Sequence, residues 1–458
     1  MNLVTIEVNS THYKVEQDKL LIDALIENDI EIPYFCYHKA LGADGNCRMC
    51  MVEIEGSKRP QIACDTFVVD GMKIRTQGDK INQTRREILE LELINHPVDC
   101  PICDQAGECK LQDFYMDYGL YETNIAQSDK TKHKKHIDLG SNVMLDQERC
   151  VLCARCTRFT SNITKTHELG IINRGDHACV STMPGRKLDN PYAMNVVDLC
   201  PVGALTSKDF RFAQRVWFLD STPSICHGCE KGCNIYIDHN KLKYQSDTIQ
   251  RFRPRYNDKV NGHFICDYGR LSYKTLQENR LKMPSFNGDE IGDDKAKEQF
   301  NAMVEEAKDI LVVVDANLYL EDMAIIHKFS KEINASVVAP IEYYYDESFG
   351  DVWLKSNYKC ANKEGLKDFK FPERLTEQKV FDLVINFNHP DIGAFKTKQS
   401  ISFATHNNIQ GDLILPIPAY SEYEGTLINK DGMKQYCSKA VECKRKRVVE
   451  WLESSIFI

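Results

Sequence analysis

The stretch CYHKALGADGNCRMC at residues 36–50 opens a cysteine-rich region that runs to Cys266 and organises the chain. Within this region sixteen candidate metal ligands fall into four groups, each with at least one C-x2-C pair. Such a pair forms a loop short enough to direct two thiolates at one metal centre. Four such groups predict a row of iron–sulfur clusters. The first group is Cys36, Cys47, Cys50 and Cys64; the second is His96, Cys100, Cys103 and Cys109; the third is Cys150, Cys153, Cys156 and Cys200; the fourth is Cys226, Cys229, Cys233 and Cys266.

Composition narrows the class of protein. A length of 458 residues predicts several domains, and 42% hydrophobic residues are ample for packed cores. The net charge of -9 argues against a nucleic-acid surface, which needs clustered basic residues. The one dense basic run, Lys444–Arg447, is short, and we interpret it as the solvated face of a helix.

The cysteine count bears on the cellular compartment. The N-terminal sequence MNLVTIEVNS lacks the basic and apolar regions of a signal peptide, and no run of about twenty uncharged apolar residues is present. These features predict a cytoplasmic protein, where nineteen cysteines favour metal ligation over disulfides. Four cysteines lie outside the groups and are interpreted as unligated thiols: Cys179, Cys360, Cys437 and Cys443.

The first group sits in a sequence that predicts a β-grasp ferredoxin fold. Apolar and polar residues alternate over 2–8 and 11–15 around Asn9-Ser10, and a helical pattern and two strand-like pieces follow at 19–27, 51–54 and 72–75. Gly42 and Gly45 let the backbone wrap closely around a cluster. Four thiolates on such a loop predict a 2Fe-2S centre. The spacing x10, x2, x13 differs from that of plant-type ferredoxins.

The second group follows a helix predicted over 81–94. It reads H-x3-C-x2-C-x5-C, and Pro97 and Pro101 stiffen the loop. Three cysteines directly after His96 favour ligation by its imidazole over a purely structural role. A histidine in place of a thiolate makes a cluster less negative and should raise its potential relative to an all-cysteine cluster.

The third group follows a polar segment at 119–145 that we expect to be an exposed connector. The run C-x2-C-x2-C occurs once, so Cys200, before Pro201, is the natural fourth ligand of a 4Fe-4S centre. The fourth group lies among short strands predicted at 234–238 and 241–245. Its four thiolates fit a 4Fe-4S centre, although C-x2-C-x3-C with a distant cysteine also suits zinc.

After about residue 281 the sequence pattern changes, and no further groups of candidate metal ligands occur. Alternating helices and apolar strands predict an α/β domain with a largely parallel sheet. The helices are expected at 295–308 and 321–333, and the strands at 310–315, 335–340, 381–386 and 412–416. No G-x-G-x-x-G, Walker loop or catalytic constellation is found, so a packing role is the simplest interpretation of this domain.

The four groups, in this order, resemble those of the family of large iron–sulfur subunits of NADH-quinone oxidoreductase, respiratory complex I, in which the chain corresponds to the G subunit. The motifs C-x10-C-x2-C-x13-C, H-x3-C-x2-C-x5-C and C-x2-C-x2-C-x43-C-P of the first three groups all match without a gap. Two further matches are CPVGALTSKDFRFAQRVW at 200–217 and FRPRYNDKVNGHFICDYGR at 252–270. The resemblance covers residues 1 to about 280.

The C-terminal part resembles a molybdopterin-oxidoreductase domain, chiefly through LPIPAYSEYEGTLINKDGMKQ at 415–435. Family members usually carry this domain at several times the present length. Tyr268 stands where molybdenum enzymes commonly have a lysine, and Met433 stands where the late motif usually has an arginine. The resemblance therefore implies a reduced domain without a catalytic molybdenum site.

The resemblance also implies a division into five parts. These are a β-grasp 2Fe-2S ferredoxin domain, a His/Cys3 helical segment, a 4Fe-4S ferredoxin-like domain, a small β-rich 4Fe-4S domain and a reduced α/β domain. The first four form the α+β iron–sulfur modules of the chain. The expected ranges are 1–78, 79–118, 119–216, 217–280 and 281–458.

The implied role is electron relay in the peripheral arm of complex I, on the inner face of the membrane, without a substrate site on this chain. The implied partners are a flavin-bearing or other donor subunit and a downstream ferredoxin-like subunit. The implied cofactors are one 2Fe-2S and three 4Fe-4S clusters. The alternatives are an iron–sulfur subunit of a formate dehydrogenase or of an NAD-linked hydrogenase, and a zinc-stapled scaffold.

Overall fold

A computed structural model describes residues 2–119, 126, 128, 130–241, 248–375 and 379–453. The chain forms two compact units, Met1–Trp217 and Phe218–Ile458. The strands of the first unit are β1 (Leu3–Val8), β2 (Thr11–Glu16), β3 (Met51–Ile54), β4 (Gln61–Ile62), β5 (Lys73–Arg75), β6 (Ile137–Asp138), β7 (Val143–Leu145), β8 (Leu169–Ile172), β9 (Cys179–Thr182) and β10 (Leu205–Ser207). Its helices are α1 (Leu21–Glu27), α2 (Asp79–Leu93), α3 (Lys110–Tyr118), α4 (Arg155–Arg158) and α5 (Asn195–Leu199).

The second unit contains a small antiparallel sheet and a large mixed sheet. Its strands are β11 (Leu219–Ile225), β12 (Asn234–Asn240), β13 (Ile249–Pro254), β14 (Ser285–Phe286), β15 (Asp289–Glu290), β16 (Ile310–Val314), β17 (Ser336–Val338), β18 (Val380–Phe387), β19 (Lys396–Ala404), β20 (Leu413–Pro416), β21 (Gly425–Ile428) and β22 (Lys434–Cys437). Its helices are α6 (Asp267–Leu271), α7 (Tyr273–Gln277), α8 (Asp293–Glu306), α9 (Leu320–Glu332), α10 (Lys363–Asp368) and α11 (Val448–Leu452).

The N-terminal sheet has the order β2-β1-β5-β3-β4, with β1 antiparallel to β2 and parallel to β5. Alternate residues of β1 point inward, so that Val4, Ile6 and Val8 are buried against Leu21 and Leu25 of α1. The predicted hairpin, helix and returning strands are confirmed. This is the strand arrangement expected for a β-grasp fold.

The rest of the first unit is built from short elements. The helix predicted over 81–94 is confirmed as α2, which buries Ile81 and Leu89. The exposed connector expected over 119–145 lies partly outside the described residues, at 120–125, 127 and 129, and the expectation is wrong at its end. Here β6 and β7 pair with each other, and β7 also pairs with β10. Val143 and Leu145 are fully buried because alternate residues of β7 face the core.

The large sheet of the second unit has the order β15-β14-β20-β19-β18-β16-β17, and the run from β20 to β17 is parallel. Helices α8 and α9 contribute Phe300 and Phe329 to a core shared with Val312, Phe387 and Phe403. The predicted helices at 295–308 and 321–333 are confirmed as α8 and α9. The predicted strands at 310–315, 335–340, 381–386 and 412–416 are confirmed as β16, β17, β18 and β20.

Other predictions in the second unit were only partly confirmed, and one strand was missed. The strand predicted at 234–238 is confirmed and extends to Asn240, whereas the one at 241–245 lies outside the described residues apart from Lys241. The pattern missed β19 because its first half is polar and exposed. The helix predicted for Lys444–Arg447 is wrong, because this run precedes α11. Its Arg445 pairs with the half-buried Glu422 at 3.3 Å.

Asp238 on β12 holds the small antiparallel sheet together and carries a stability prediction. Its side chain is 1% exposed and accepts hydrogen bonds from Arg251 Nε at 2.7 Å, Arg253 Nε at 2.6 Å and Ser221 Oγ at 2.6 Å. Burial raises the pKa of this carboxyl, but the contacts with Arg253, Arg251 and Ser221 together outweigh burial and hold the pKa below its ordinary 3.8. Asp238→Asn should therefore lower the free energy of unfolding of this unit by roughly 3 to 5 kcal/mol at neutral pH.

The pH dependence follows from the depressed pKa. The stabilisation is present above the ordinary pKa and is lost as the pH falls through the lower folded value, so the variant and the original protein should converge in acid. Urea unfolding at pH 7 and at acidic pH measures both effects. Asp220→Asn is the control, because Asp220 is 59% exposed and pairs with Lys241 at 3.9 Å. Equal stability of the Asp238 variant at neutral pH would refute the prediction.

Candidate metal centres

The first group lies in the loop between α1 and β3 and in the turn after β4. Its thiols are buried, and the N–H groups of Phe35 and Cys36 each donate to Cys47 Sγ at 3.4 Å. Side-chain hydrogen bonds join Cys36 to Cys47 and Cys64, and Cys64 to Cys50. They lower the pKa of Cys36 and Cys50 and raise the pKa of Cys47 and Cys64. The four side chains therefore interact with one another, which fits a shared cluster.

The loop of the first group has two glycines with positive φ, Gly42 and Gly45, and at Gly45 space is restricted as well. Gly45 has φ of +72°, a conformation that L side chains rarely adopt. A Cβ at this position would also lie 3.1 Å from Ile62 Cδ1. The prediction that glycine lets this loop wrap closely is therefore supported at Gly45 by both conformation and space.

The second group lies between α2 and the start of α3. Electrostatic interactions link Cys103 to Cys100 and Cys109. The Nδ1 atom of His96 is buried without a hydrogen-bond partner, and burial lowers the pKa of this imidazole to about 4. A neutral imidazole is the form that binds metal, so the orphaned nitrogen fits a ligand. Among the described residues, no hydrogen bond or charge interaction joins His96 to the three cysteines.

The third group lines a single cavity. Cys150 and Cys153 precede α4, Cys156 lies within it, and Cys200 follows α5. The N–H group of Leu152 donates to Cys150 Sγ at 3.4 Å, and N–H groups of Val202, Ala204 and Leu205 face the Cys200 thiol. Burial raises the pKa of Cys153 to about 12, although metal ligation needs a thiolate. A cluster bound in this cavity would displace the protons of the four thiols, because iron binds the thiolate form.

The fourth group lies in the second unit, after β11, before β12 and at the start of α6. All four thiols are buried, and Gly228 N and Gly269 N donate at 3.3 Å to Cys226 Sγ and Cys266 Sγ, respectively. Burial raises the pKa of Cys266 to about 12. A Cβ at Gly269 would lie 2.7 Å from Cys226 Sγ, so the two halves of the group approach closely.

Two positions bear on molybdenum chemistry. Tyr268 is 48% exposed, packs on Phe349 at 4.8 Å between ring centroids, and its ring centroid lies 5.7 Å from Lys359 Nζ. Met433 lies in the turn between β21 and β22, where its N–H donates to Asn429 Oδ1 at 2.9 Å. Neither side chain supplies the positive charge that the corresponding lysine or arginine would carry.

The first three groups are joined by contacts that the sequence did not reveal. Arg149 forms a buried ion pair with Asp99 at 2.8 Å and thereby links the third group to the second. Asn46 Nδ2 donates to Leu152 O at 3.0 Å and links the first group to the third. Gly203 packs against Cys103, because a Cβ at this glycine would lie 2.4 Å from the Cys103 sulfur.

Glu92 is a further residue that sequence reasoning missed. It lines a cavity of about 320 Å³ together with one member each of the first three groups, Cys47, His96 and Cys150. Burial raises the pKa of its carboxyl to about 7. In the sequence Glu92 is one of several acids on α2, and no local signal distinguishes it.

The ligand assignments remain predictions. In the ranges that the structure describes, no three His, Cys, Asp or Glu side chains are grouped so that they could hold a metal ion. The cysteine side chains of each group nevertheless interact with one another, all four in the first, third and fourth groups and the three cysteines in the second. None of the helices in the same ranges combines the length and apolar character needed to cross a bilayer.

Comparison with known families defines the class of protein as iron–sulfur proteins with ferredoxin-like domains. Residues 1–79 match the 2Fe-2S iron-sulfur cluster binding domain. Residues 85–124 match the NADH-ubiquinone oxidoreductase-G iron-sulfur binding region, and residues 140–206 match the ferredoxin-like domain of NADH-quinone oxidoreductase subunit 3. Iron–sulfur domains of both cluster types are therefore present.

The chain is homologous, over 62% of its length, to the G subunit of NADH-quinone oxidoreductase, which confirms the resemblance inferred from the motifs. Identity is 37% over 286 residues to the G subunit of Streptomyces coelicolor and 38% over 282 residues to that of Rickettsia conorii. It is 40% over 282 residues to the NADH-ubiquinone oxidoreductase 75 kDa subunit of Reclinomonas americana. The matched segments cover 33%, 41% and 40% of these relatives.

Among solved structures, a chain of an NAD+-reducing [NiFe]-hydrogenase in the H2-reduced state is similar with a TM-score of 0.42 and 27% sequence identity. The match covers 46% of this chain and 91% of that chain. This likeness is too low to carry a structural conclusion.

Proposed function

We propose that this chain is the electron-relay iron–sulfur subunit of the peripheral arm of an NADH-quinone oxidoreductase. The observation that carries the proposal is the connection of three cysteine-rich groups within one compact unit, in domains matched by iron–sulfur families. Homology to the large iron–sulfur subunits of such complexes supports the assignment. The chain then acts as part of an oxidoreductase without binding the substrate itself.

The proposed ligand sets are the four groups as the motifs define them. The first would hold a 2Fe-2S cluster, and the other three would each hold a 4Fe-4S cluster. When bound, such clusters supply one-electron redox chemistry. The chain's own residues bury the thiols, direct N–H groups at the sulfurs and exclude water, all of which set cluster potentials.

The proposed organisation keeps the five parts expected from the resemblance, with boundaries near 78, 118, 216 and 280. The part from 281 onward would be a molybdopterin-oxidoreductase-like domain with a packing role. Tyr268 and Met433 support the absence of a molybdenum site. The proposed partners are a flavin-bearing or other donor subunit and a downstream ferredoxin-like subunit. Through them the chain would lie at the cytoplasmic face of the membrane.

Metal analysis of the complex tests this proposal. Anaerobic purification with the neighbouring subunits should yield about 14 iron atoms per chain, the content of one two-iron and three four-iron clusters. A zinc-stapled scaffold would instead contain about four zinc atoms. Molybdenum would favour the formate dehydrogenase alternative, and nickel in a copurifying subunit would favour the hydrogenase alternative. Iron-free material that supports full quinone reduction would refute the proposal.

His96→Cys tests the ligand assignment of the second group. The variant should keep its cluster but lower its midpoint potential and change its EPR spectrum, because a fourth thiolate makes the cluster more negative than an imidazole does. Redox-titrated EPR measures both changes. His133→Cys is the matched control, since His133 lines the same cavity outside the predicted ligand set. An unchanged midpoint and spectrum in the His96 variant would show that His96 is not a ligand.

A further inference from the structure

Arg155 lies between two ligands of the third group and is 4% exposed. Its Nη1 donates to the carbonyl of Leu199 at 3.1 Å, and its Nη2 donates to the carbonyl of Tyr37. Leu199 directly precedes Cys200 of the third group, and Tyr37 directly follows Cys36 of the first. One guanidinium therefore holds the backbone beside a predicted ligand of each group.

The charge of Arg155 has no carboxylate counter-charge among the described residues. Within the part of the chain that the structure describes, Arg155 forms no salt bridge, and its Nε is buried without an acceptor. A second cation, Lys110, lies 4.2 Å from the centroid of the Tyr34 ring, and the Arg155 guanidinium lies 5.8 Å from the same centroid. Lys110 also forms no salt bridge with a described carboxylate. A buried charge is costly unless an opposite charge compensates it.

Two neighbouring arginines provide a comparison. Arg149 is paired with Asp99 at 2.8 Å, and Arg158 lies 3.8 Å from Asp44. Arg158 also donates to carbonyls of the first-group loop, including that of Cys36. Of these three arginines, Arg155 alone has no carboxylate partner among the described residues. The groups that face it with potential negative charge are the thiols of Cys153, Cys200 and Cys36 and the hydroxyl of Tyr34, and of these only the thiols are predicted to be ionised, as cluster ligands.

We propose that Arg155 is the shared counter-charge of the first and third clusters and fixes the loops that hold them. This inference rests on the proposed function, because the charge that Arg155 balances is that of thiolate-bound clusters. A cluster held by four thiolates is net negative, and each added electron makes it more so. A fixed positive charge beside both clusters stabilises their reduced forms and raises both midpoint potentials. Arg155 is a positioning residue and takes no part in bond making.

The test compares Arg155→Gln, Arg155→Lys and Arg158→Gln in the complete complex by iron analysis and redox-titrated EPR. Arg155→Gln should lower the midpoints of both the first and the third clusters. At a fixed potential, the expected change is about tenfold in each reduced-to-oxidised ratio, or about 59 mV for a one-electron couple. Arg155→Lys should keep both midpoints near their original values because it keeps the charge. Arg158→Gln should shift them less, since Asp44 already balances that charge.

Each outcome supports or overturns the proposal. Unshifted midpoints in a fully loaded Arg155→Gln complex would overturn it, as would a shift in Arg155→Lys equal to that in Arg155→Gln. If the Arg155→Gln complex fails to load iron, its midpoints cannot be measured, and the iron content and midpoints of the Arg155→Lys complex test the proposal instead. Full loading with the original midpoints supports the counter-charge, whereas failure to load shows that Arg155 only fixes the loops and overturns the counter-charge. Absence of cluster signals from the unmodified complex would refute the proposed function instead.

Discussion

Cys153→Ala is expected to remove the third cluster, with about four iron atoms per chain, and to stop electron transfer through the assembled complex. Cys153 lines the cavity shared by its group, and its thiol lies close enough to Cys150 and Cys200 to interact with them electrostatically. Alanine supplies no thiolate. The buried site offers no described carboxylate or imidazole within its lining that could replace it.

Iron content, EPR and quinone reduction by the purified complex measure this outcome. The control is Cys179→Ala, a buried cysteine in β9 of the same unit that lies outside the four groups. It should retain iron and activity. Cys229→Ala, in the fourth group, should mainly impair folding or assembly, because the resemblance to complex I implies that the fourth cluster lies beside the electron path. Full quinone reduction by the Cys153 variant would show that the relay path is wrong.

Gly203→Ala is expected to disrupt the second cluster although residue 203 belongs to the loop of the third group. A Cβ at Gly203 would lie 2.4 Å from Cys103 Sγ and 3.0 Å from the Gln105 Cβ. Real Cβ atoms do not approach a sulfur so closely, so Cys103 must move or the loop must shift. Overpacking of this kind typically costs about 1 to 3 kcal/mol. A ligand displaced by even a fraction of an ångström can no longer bind its iron in the original geometry.

The expected result for Gly203→Ala is loss of about four iron atoms and of the EPR signal of the second cluster, with a lower melting temperature. Gly292→Ala is the matched control, since nothing lies within 4 Å of the Cβ it would add and its φ is -75°. That variant should retain all iron and the second-cluster signal, and its melting temperature should fall less than that of the Gly203 variant, because alanine at this N-cap of α8 meets no atom and only caps the helix less well than glycine. A Gly203 variant with complete iron and an unchanged second-cluster signal would show that the close approach to Cys103 does not matter.

Helices and strands with strong periodicity were predictable because their patterns are local. Alternation in β1 and the apolar run of β16 report burial directly, and α8 and α9 show helical spacing. The half-polar β19 was missed because its pairing partners, β18 and β20, supply most of the information about its conformation. The basic run before α11 was misassigned because its ion pair with Glu422 is not visible in local sequence.

The chain's own sequence determined the type and grouping of the predicted ligands, because most lie a few residues apart in short loops whose geometry is local. It also determined the homology to the large iron–sulfur subunits of NADH-quinone oxidoreductases. Only the tertiary structure decided how the groups are joined. The Arg149–Asp99 pair, the approach of Gly203 to Cys103 and the hydrogen bond from Arg155 to the Tyr37 carbonyl all involve segments about 50 or more residues apart. Such contacts arise from packing of the whole unit, which no local pattern encodes.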